Sequence, residues 1–311
     1  MFVLRGLAVS LTFFVLFYCL LSALVSISWR GLRWLHTTER RRADLLFLLR
    51  VLPLLASVII TFAFVVPSFQ LLEPRSIDEG MGTMPAALGS GALFLIFWGC
   101  YRVVVAQRRT SRVVARWIEG SRPFEQGRTS LAFRSPREAP PLTLVGMRKP
   151  RVLVSDSTVE LLTESELDIA FRHELAHIRS CDNIKKLVFR LSPFPGMAKL
   201  EAAWSQAAEL AADDAAVTNV HDAVDLAAAL VKLSRLVPVD APPACTVGFL
   251  NGSLSARVAR LLAWDDSRRL QRDGIPGWAA LPPVIVAAFC ICFAYGPLLD
   301  ITHEVTEWLV R

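Results

Sequence analysis

The chain has 311 residues, 53% hydrophobic and 20% charged, with a formal net charge of +6 and a mean hydropathy of +0.43. Soluble domains are usually less apolar, and here the apolar residues come in long runs, so a membrane protein with one modest soluble domain is expected. The basic residues sit mostly beside those runs, where they set topology and meet anionic lipid, so the charge is not read as a sign of direct nucleic-acid binding.

The first apolar run, residues 6–29, contains no charged residue and is long enough to cross a bilayer. No small-residue cleavage site precedes the charges that follow, so it reads as a retained transmembrane helix. Arg30, Arg33, Arg40, Arg41 and Arg42 then form a basic loop of the kind that stays in the cytoplasm. A second span is expected at residues 51–72. Its Pro53 and Pro67 are tolerable if neighbouring helices satisfy the freed carbonyls. A short acidic loop leads to a third span at 86–105, where Gly89, Gly91 and Ala92 permit close packing. Arg102, Arg108, Arg109, Arg112 and Arg116 then return the chain to the cytoplasm.

Residues 106–273 are the expected soluble domain. The stretch 122–141 is rich in proline and charge and reads as a loop. Residues 142–146 and 151–155 read as two short strands about a turn. A helix follows, started by a capping box at Thr163-Glu164-Ser165-Glu166, with residues 181–183 as its end. Residues 183–194 are amphipathic, either a packing helix or one lying in the membrane interface. Further helices are expected at 198–217, 223–236 and 253–263. A fourth span at 275–299, flanked by Arg268, Arg269 and Arg272 on one side and by Asp300, Glu304 and Glu307 on the other, leaves residues 300–311 as a short outer tail. Cys19, Cys100, Cys290 and Cys292 lie in apolar runs, with Cys181 and Cys245 outside them. All six are read as reduced and structural.

The chemistry is concentrated in His173-Glu174-Leu175-Ala176-His177. Residues four apart share a helix face, so the two histidines can aim at one zinc ion, with Glu174 beside it to take a proton from water. Downstream, Glu209 can serve as the third ligand, and Asp213, one turn later, can accept a hydrogen bond from a ligating histidine and fix its tautomer. Asp213, Asp214 and Glu201 are the alternatives should Glu209 not ligate. The strand 151–155 could pair with an extended substrate. Arg257 and His221 are candidate oxyanion donors, and none of Tyr18, Tyr101 and Tyr295 is an obvious helper.

The three spans, the motif followed by Asp182-Asn183, the pair Glu209 and Asp213, the segment Leu254-Ser255-Ala256-Arg257-Val258 and a last span follow one another in a familiar order. The chain resembles the BlaR/MecR-type membrane metallopeptidases. That resemblance implies a mainly α, partly α+β, zincin-like domain of the gluzincin type on four transmembrane helices, three before it and one after. It implies a cytoplasmic zinc site with His173, His177 and Glu209 as ligands, Glu174 as general base and Asp213 orienting a ligand. It further implies a bacterial-type inner membrane, both termini outside, and signalling by cleavage of a protein such as a DNA-binding repressor. The family's sensors carry a penicillin-binding domain after the last span and this chain carries a short tail, so a β-lactam stimulus is not implied. The HtpX and CAAX-prenyl-protease type shares the zinc spacing and offers quality control or peptide processing as an alternative. A non-catalytic zinc-containing receptor or scaffold is a third reading, which Glu174 argues against, since a structural site needs ligands but no base.

Overall fold

The structure is a computed structural model, and it describes residues 2–34, 37–73, 82–119, 121–123, 132–135, 141–145, 151–236, 254–265 and 294–310. Helix α1 (Phe2–Ser28) ends in a 3-10 turn at Trp29–Trp34. Helix α2 (Glu39–Ile60) runs through a π-helical stretch (Thr61–Val65) into α3 (Val66–Leu72), and α4 spans Thr83–Glu119. Three runs, Phe2–Gly31, Glu39–Leu72 and Thr83–Glu119, are long and apolar enough to cross a membrane.

All three runs exceed their expected bounds, the first starting at Phe2 instead of residue 6. The second starts at Glu39, not near residue 51, because the Thr38 side chain caps it and the basic turn Glu39–Arg42 is helical. Residues Ala43, Leu46 and Val51 bury against protein instead of lipid. The third continues past residue 105 to Glu119, since no glycine or proline interrupts it there. Pro67 cannot donate to the Ala63 carbonyl, and the Tyr295 hydroxyl does so at 2.7 Å, which is the satisfaction by a neighbouring helix that a proline in a span requires. Tyr295 opens α11 (Tyr295–Val310), which packs on α3 and the π-helical stretch. Residues 300–310, expected as a tail, are thus helical. Most of the fourth span expected at 275–299 lies outside the described residues, as do the turn at 147–150, Cys245, Cys290 and Cys292.

The four-stranded sheet has the order β1-β2-β4-β3, with β1 at Arg122–Pro123, β2 at Ala132–Ser135, β3 at Leu142–Val145 and β4 at Arg151–Ser155. The stretch 122–141, read as a loop, therefore supplies β1 and β2. β2 runs parallel to β4 and β3 antiparallel to it. With a partner on each side, β4 has no free edge, so the expected substrate pairing on residues 151–155 is overturned.

Ser155 caps α5 (Asp156–Leu161). The capping box at Thr163 is present and starts α6 (Glu164–Arg179). Helices α7 (Asp182–Leu191), α8 (Ala198–Ala216), α9 (Val220–Ser234) and α10 (Leu254–Leu262) follow. On α7, Phe189 is buried between Phe47 and Trp204, with ring centroids 5.6 and 4.9 Å away, while Ile184 and Leu191 remain exposed. There are two main cores. One joins the sheet, α6, α9 and α10. The other joins Val25, Trp29 and the first half of α2 to Phe189, Leu200 and Trp204, so the membrane helices form part of the core of the folded domain.

Glu166 both completes the capping box and pairs with Lys232 at 2.7 Å. Burial opposes ionisation of its carboxyl, but Lys232 and the Thr163 amide outweigh this and hold it below the ordinary range. Its contribution is therefore present above the unfolded value and lost as pH falls through the lowered folded one. Thr163→Ala should destabilise the chain by about 1 kcal/mol, and Glu166→Gln should cost stability at neutral pH but little in acid, both read by denaturant unfolding. A Glu166→Gln deficit independent of pH would contradict the ion pair.

Candidate metal centre

Helix α6 places His173 and His177 one turn apart on a buried face, and α8 brings Glu209 against them. The two Nε2 atoms lie 3.2 Å apart. His173 Nε2 is 3.6 Å from Glu209 Oε2, and His177 Nε2 is 3.7 Å from Glu209 Oε1. These three residues form a group able to hold a metal ion. A tetrahedral ion with bonds of about 2.0–2.1 Å needs donors about 3.3–3.4 Å apart, and the observed spacings bracket that value.

The backs of the rings make the case stronger. His177 Nδ1 is 2.7 Å from Asp182 Oδ2, and His173 Nδ1 faces Asp213 Oδ1 at 2.9 Å. A carboxylate can only accept, so the Asp182 bond holds the His177 proton on Nδ1 and leaves a lone pair at Nε2, and the nearby Asp213 carboxylate favours the same tautomer of His173. Two such lone pairs and a carboxylate then face one another in a buried space, an arrangement that calls for a cation. With a proton in that role, burial would lower the His173 pKa, but Asp213 and Glu209 outweigh it and push it up to about 9. Burial likewise opposes ionisation of Glu209, yet His173, His177 and Arg257 hold it well below the usual carboxylate range.

Arg257 stands behind the acids. Its Nε and Nη2 donate to Asp213 at 2.8 and 2.6 Å, and Nη1 donates to Glu209 Oε2 at 3.0 Å. It is buried, and these bonds make it an anchor for the carboxylates, not the oxyanion donor considered from sequence. His221 is exposed in the first turn of α9. The other acids weighed as ligands are engaged elsewhere: Glu201 with Arg50 at 2.8 Å and Asp214 with Arg260 at 2.7 Å.

Glu174 is fully buried, and neither carboxylate oxygen has a hydrogen-bond partner among the described residues. Burial raises its pKa, partly offset by His177 and His173. An unpaired buried carboxylate is costly unless a ligand or water completes it.

Sequence reasoning found Asp213 and missed Asp182 as the partner of His177. Cys181 adopts a left-handed conformation (φ 54°), which folds α7 sharply back on α6 and returns Asp182 to the histidine. No periodicity announces such a turn. Lys186 was also missed: it lies one turn after Asp182, with its ammonium 5.8 Å from the Trp204 ring. Burial lowers its pKa against the pull of Glu209, Asp182 and Glu174.

Asp182→Asn and Asp213→Asn should each weaken metal binding by roughly 10–100-fold, measured by competition with a chelator. Wild-type affinity in either variant would remove that carboxylate from the site.

Residues 137–261 match the family model described as BlaR1 peptidase M56. No curated protein matches the chain. The matched stretch contains His173, Glu174, His177, Asp182, Glu209, Asp213 and Arg257, every residue of the constellation. The resemblance to the BlaR/MecR-type peptidases therefore holds across the stretch that builds the site, and with three helices able to cross a membrane ahead of it the chain is similar to membrane metallopeptidases of the BlaR1 type.

Proposed function

We propose that this chain is an integral-membrane zinc metalloendopeptidase that transduces a signal by cleaving a cytoplasmic protein, such as a transcriptional repressor. The observation that carries the reading is the set of three converging donors with an unpaired buried glutamate beside it. Zinc held by His173, His177 and Glu209 would supply Lewis acidity and render a nearby water acidic near neutral pH. Glu174 is the proton acceptor: its carboxylate takes a proton from water and delivers it to the leaving amine nitrogen. Asp182 and Asp213 keep the imidazole protons on Nδ1, and Arg257 keeps Glu209 and Asp213 ionised and in place.

The substrate is an extended segment of protein. Among the described residues β3 pairs only with β4, and α6 packs beside it, so the outer side of β3 supports strand addition next to the site. The basic start of α2 and the arginine-rich end of α4 both lie on the side of the sheet and site: Arg40 bonds Ser180, and the Ser135 hydroxyl donates to the Trp117 carbonyl at 3.0 Å. Basic ends on that side support a cytoplasmic site and an outward N-terminus.

Glu174→Gln should keep zinc and lose proteolysis by roughly 10²–10⁴-fold, while Glu209→Ala should lose zinc. Zinc-loaded Glu174→Gln protein that still cuts would sink the base assignment. A survey of new protein N-termini in cells expressing wild type or Glu174→Gln separates the biology. Cuts made only by wild type in a soluble DNA-binding protein support signalling, and cuts spread over membrane proteins point instead to quality control.

A further inference from the structure

The chain between α7 and α8 is held by all three of the described helices that are able to cross a membrane. Arg50 of α2 is buried, and its Nη2 donates to the carbonyls of Phe189 (3.2 Å) and Ser192 (2.7 Å). Its Nη1 donates to Ser192 Oγ at 3.0 Å, and its Nε to Glu201 Oε1 at 2.8 Å. From α1, the Tyr18 hydroxyl donates to the Pro193 carbonyl at 3.0 Å, and its ring meets Phe194 edge-on. From α4, Gly99 lies so close to the Leu191 carbonyl that an added Cβ would overlap it. Gly196, at φ 86°, turns the chain beside Ser26 of α1.

These contacts answer a definite need. Leu191 is the last residue of α7, and the carbonyls of a helix's last turn have no partner within it. Pro193 and Pro195 bring no amide hydrogen, so the segment has few donors of its own. The spans supply them, and the arginine that a membrane helix carries finds its partners there. The two helices joined at this point divide the site between them. α7 carries Asp182, which orients His177, and α8 carries Glu209 and Asp213.

We infer that residues 189–196 are the point through which the membrane helices set the alignment of the metal site, with Arg50 as the positioning residue. Its guanidinium grips the end of α7 and, through Glu201, the first turn of α8 at once. A displacement of α2 against α1 and α4 therefore changes how the Asp182–His177 pair meets Glu209. This deepens the proposed peptidase function by naming how that site is regulated, and it rests on that reading.

The test is amide hydrogen exchange on the full chain in lipid nanodiscs, without metal, comparing wild type with Arg50→Lys and Tyr18→Phe. Lysine keeps a cation for Glu201 but cannot reach the two carbonyls and the hydroxyl together. Arg50→Lys should speed exchange roughly tenfold in α7 and around His177, with β3, β4 and α9 unchanged. Tyr18→Phe should produce a smaller change in the same segments. Acceleration spread over the whole chain, or confined to residues 192–197, would overturn the inference. Where zinc-loaded wild type cuts no protein yet the exchange pattern is as expected, the peptidase reading fails and the coupling stands.

Discussion

The structure turns on a confrontation of like groups. Two imidazole nitrogens and one carboxylate are pointed at a common centre in a buried space. Left alone they repel, and the fold spends much of its polar inventory keeping them so arranged. Asp182 and Asp213 fix the tautomers from behind, and Arg257 fixes Asp213 and Glu209. Each of these supports comes from a different point along the chain, which is why α6, α7, α8 and α10 must pack as they do. The unpaired Glu174 beside them is the part of the arrangement that only a ligand or water can complete.

The membrane helices and the site are one packing problem. Trp204 and Leu200 of α8 are buried against residues of α1 and α2, while Glu209 and Asp213 of the same helix point into the candidate metal site. Alanines at 207, 208, 211 and 212 keep α8 slim enough for that double role. A domain built this way packs directly on the spans. Its active helices share side-chain contacts with the spans, so that a change in how the spans pack reaches the site through close-packed atoms.

What was legible in the sequence was whatever local periodicity encodes. The histidine pair, the capping box and the pair Glu209 and Asp213 all depend on residues three or four apart on one helix, and all stand where expected. Contacts made by the return of distant chain were not legible. β2 pairs with a strand far along the chain in a parallel register, and its four residues show no alternation that would announce it. Asp182 reaches His177 only through the left-handed turn at Cys181, a conformation no side chain there advertises. Arg50 stands one residue before the expected start of the second span. It is a buried residue well inside a longer helix, α2.

On the proposed reading, His173, His177 and Glu209 ligate one ion. X-ray absorption at the zinc edge on the purified, zinc-reconstituted chain tests it most directly. One zinc per chain is expected, with nitrogen and oxygen neighbours at about 2.0–2.1 Å and imidazole scattering that weakens in His177→Ala. A sulfur shell at about 2.3 Å, or a spectrum unchanged by that substitution, would contradict it.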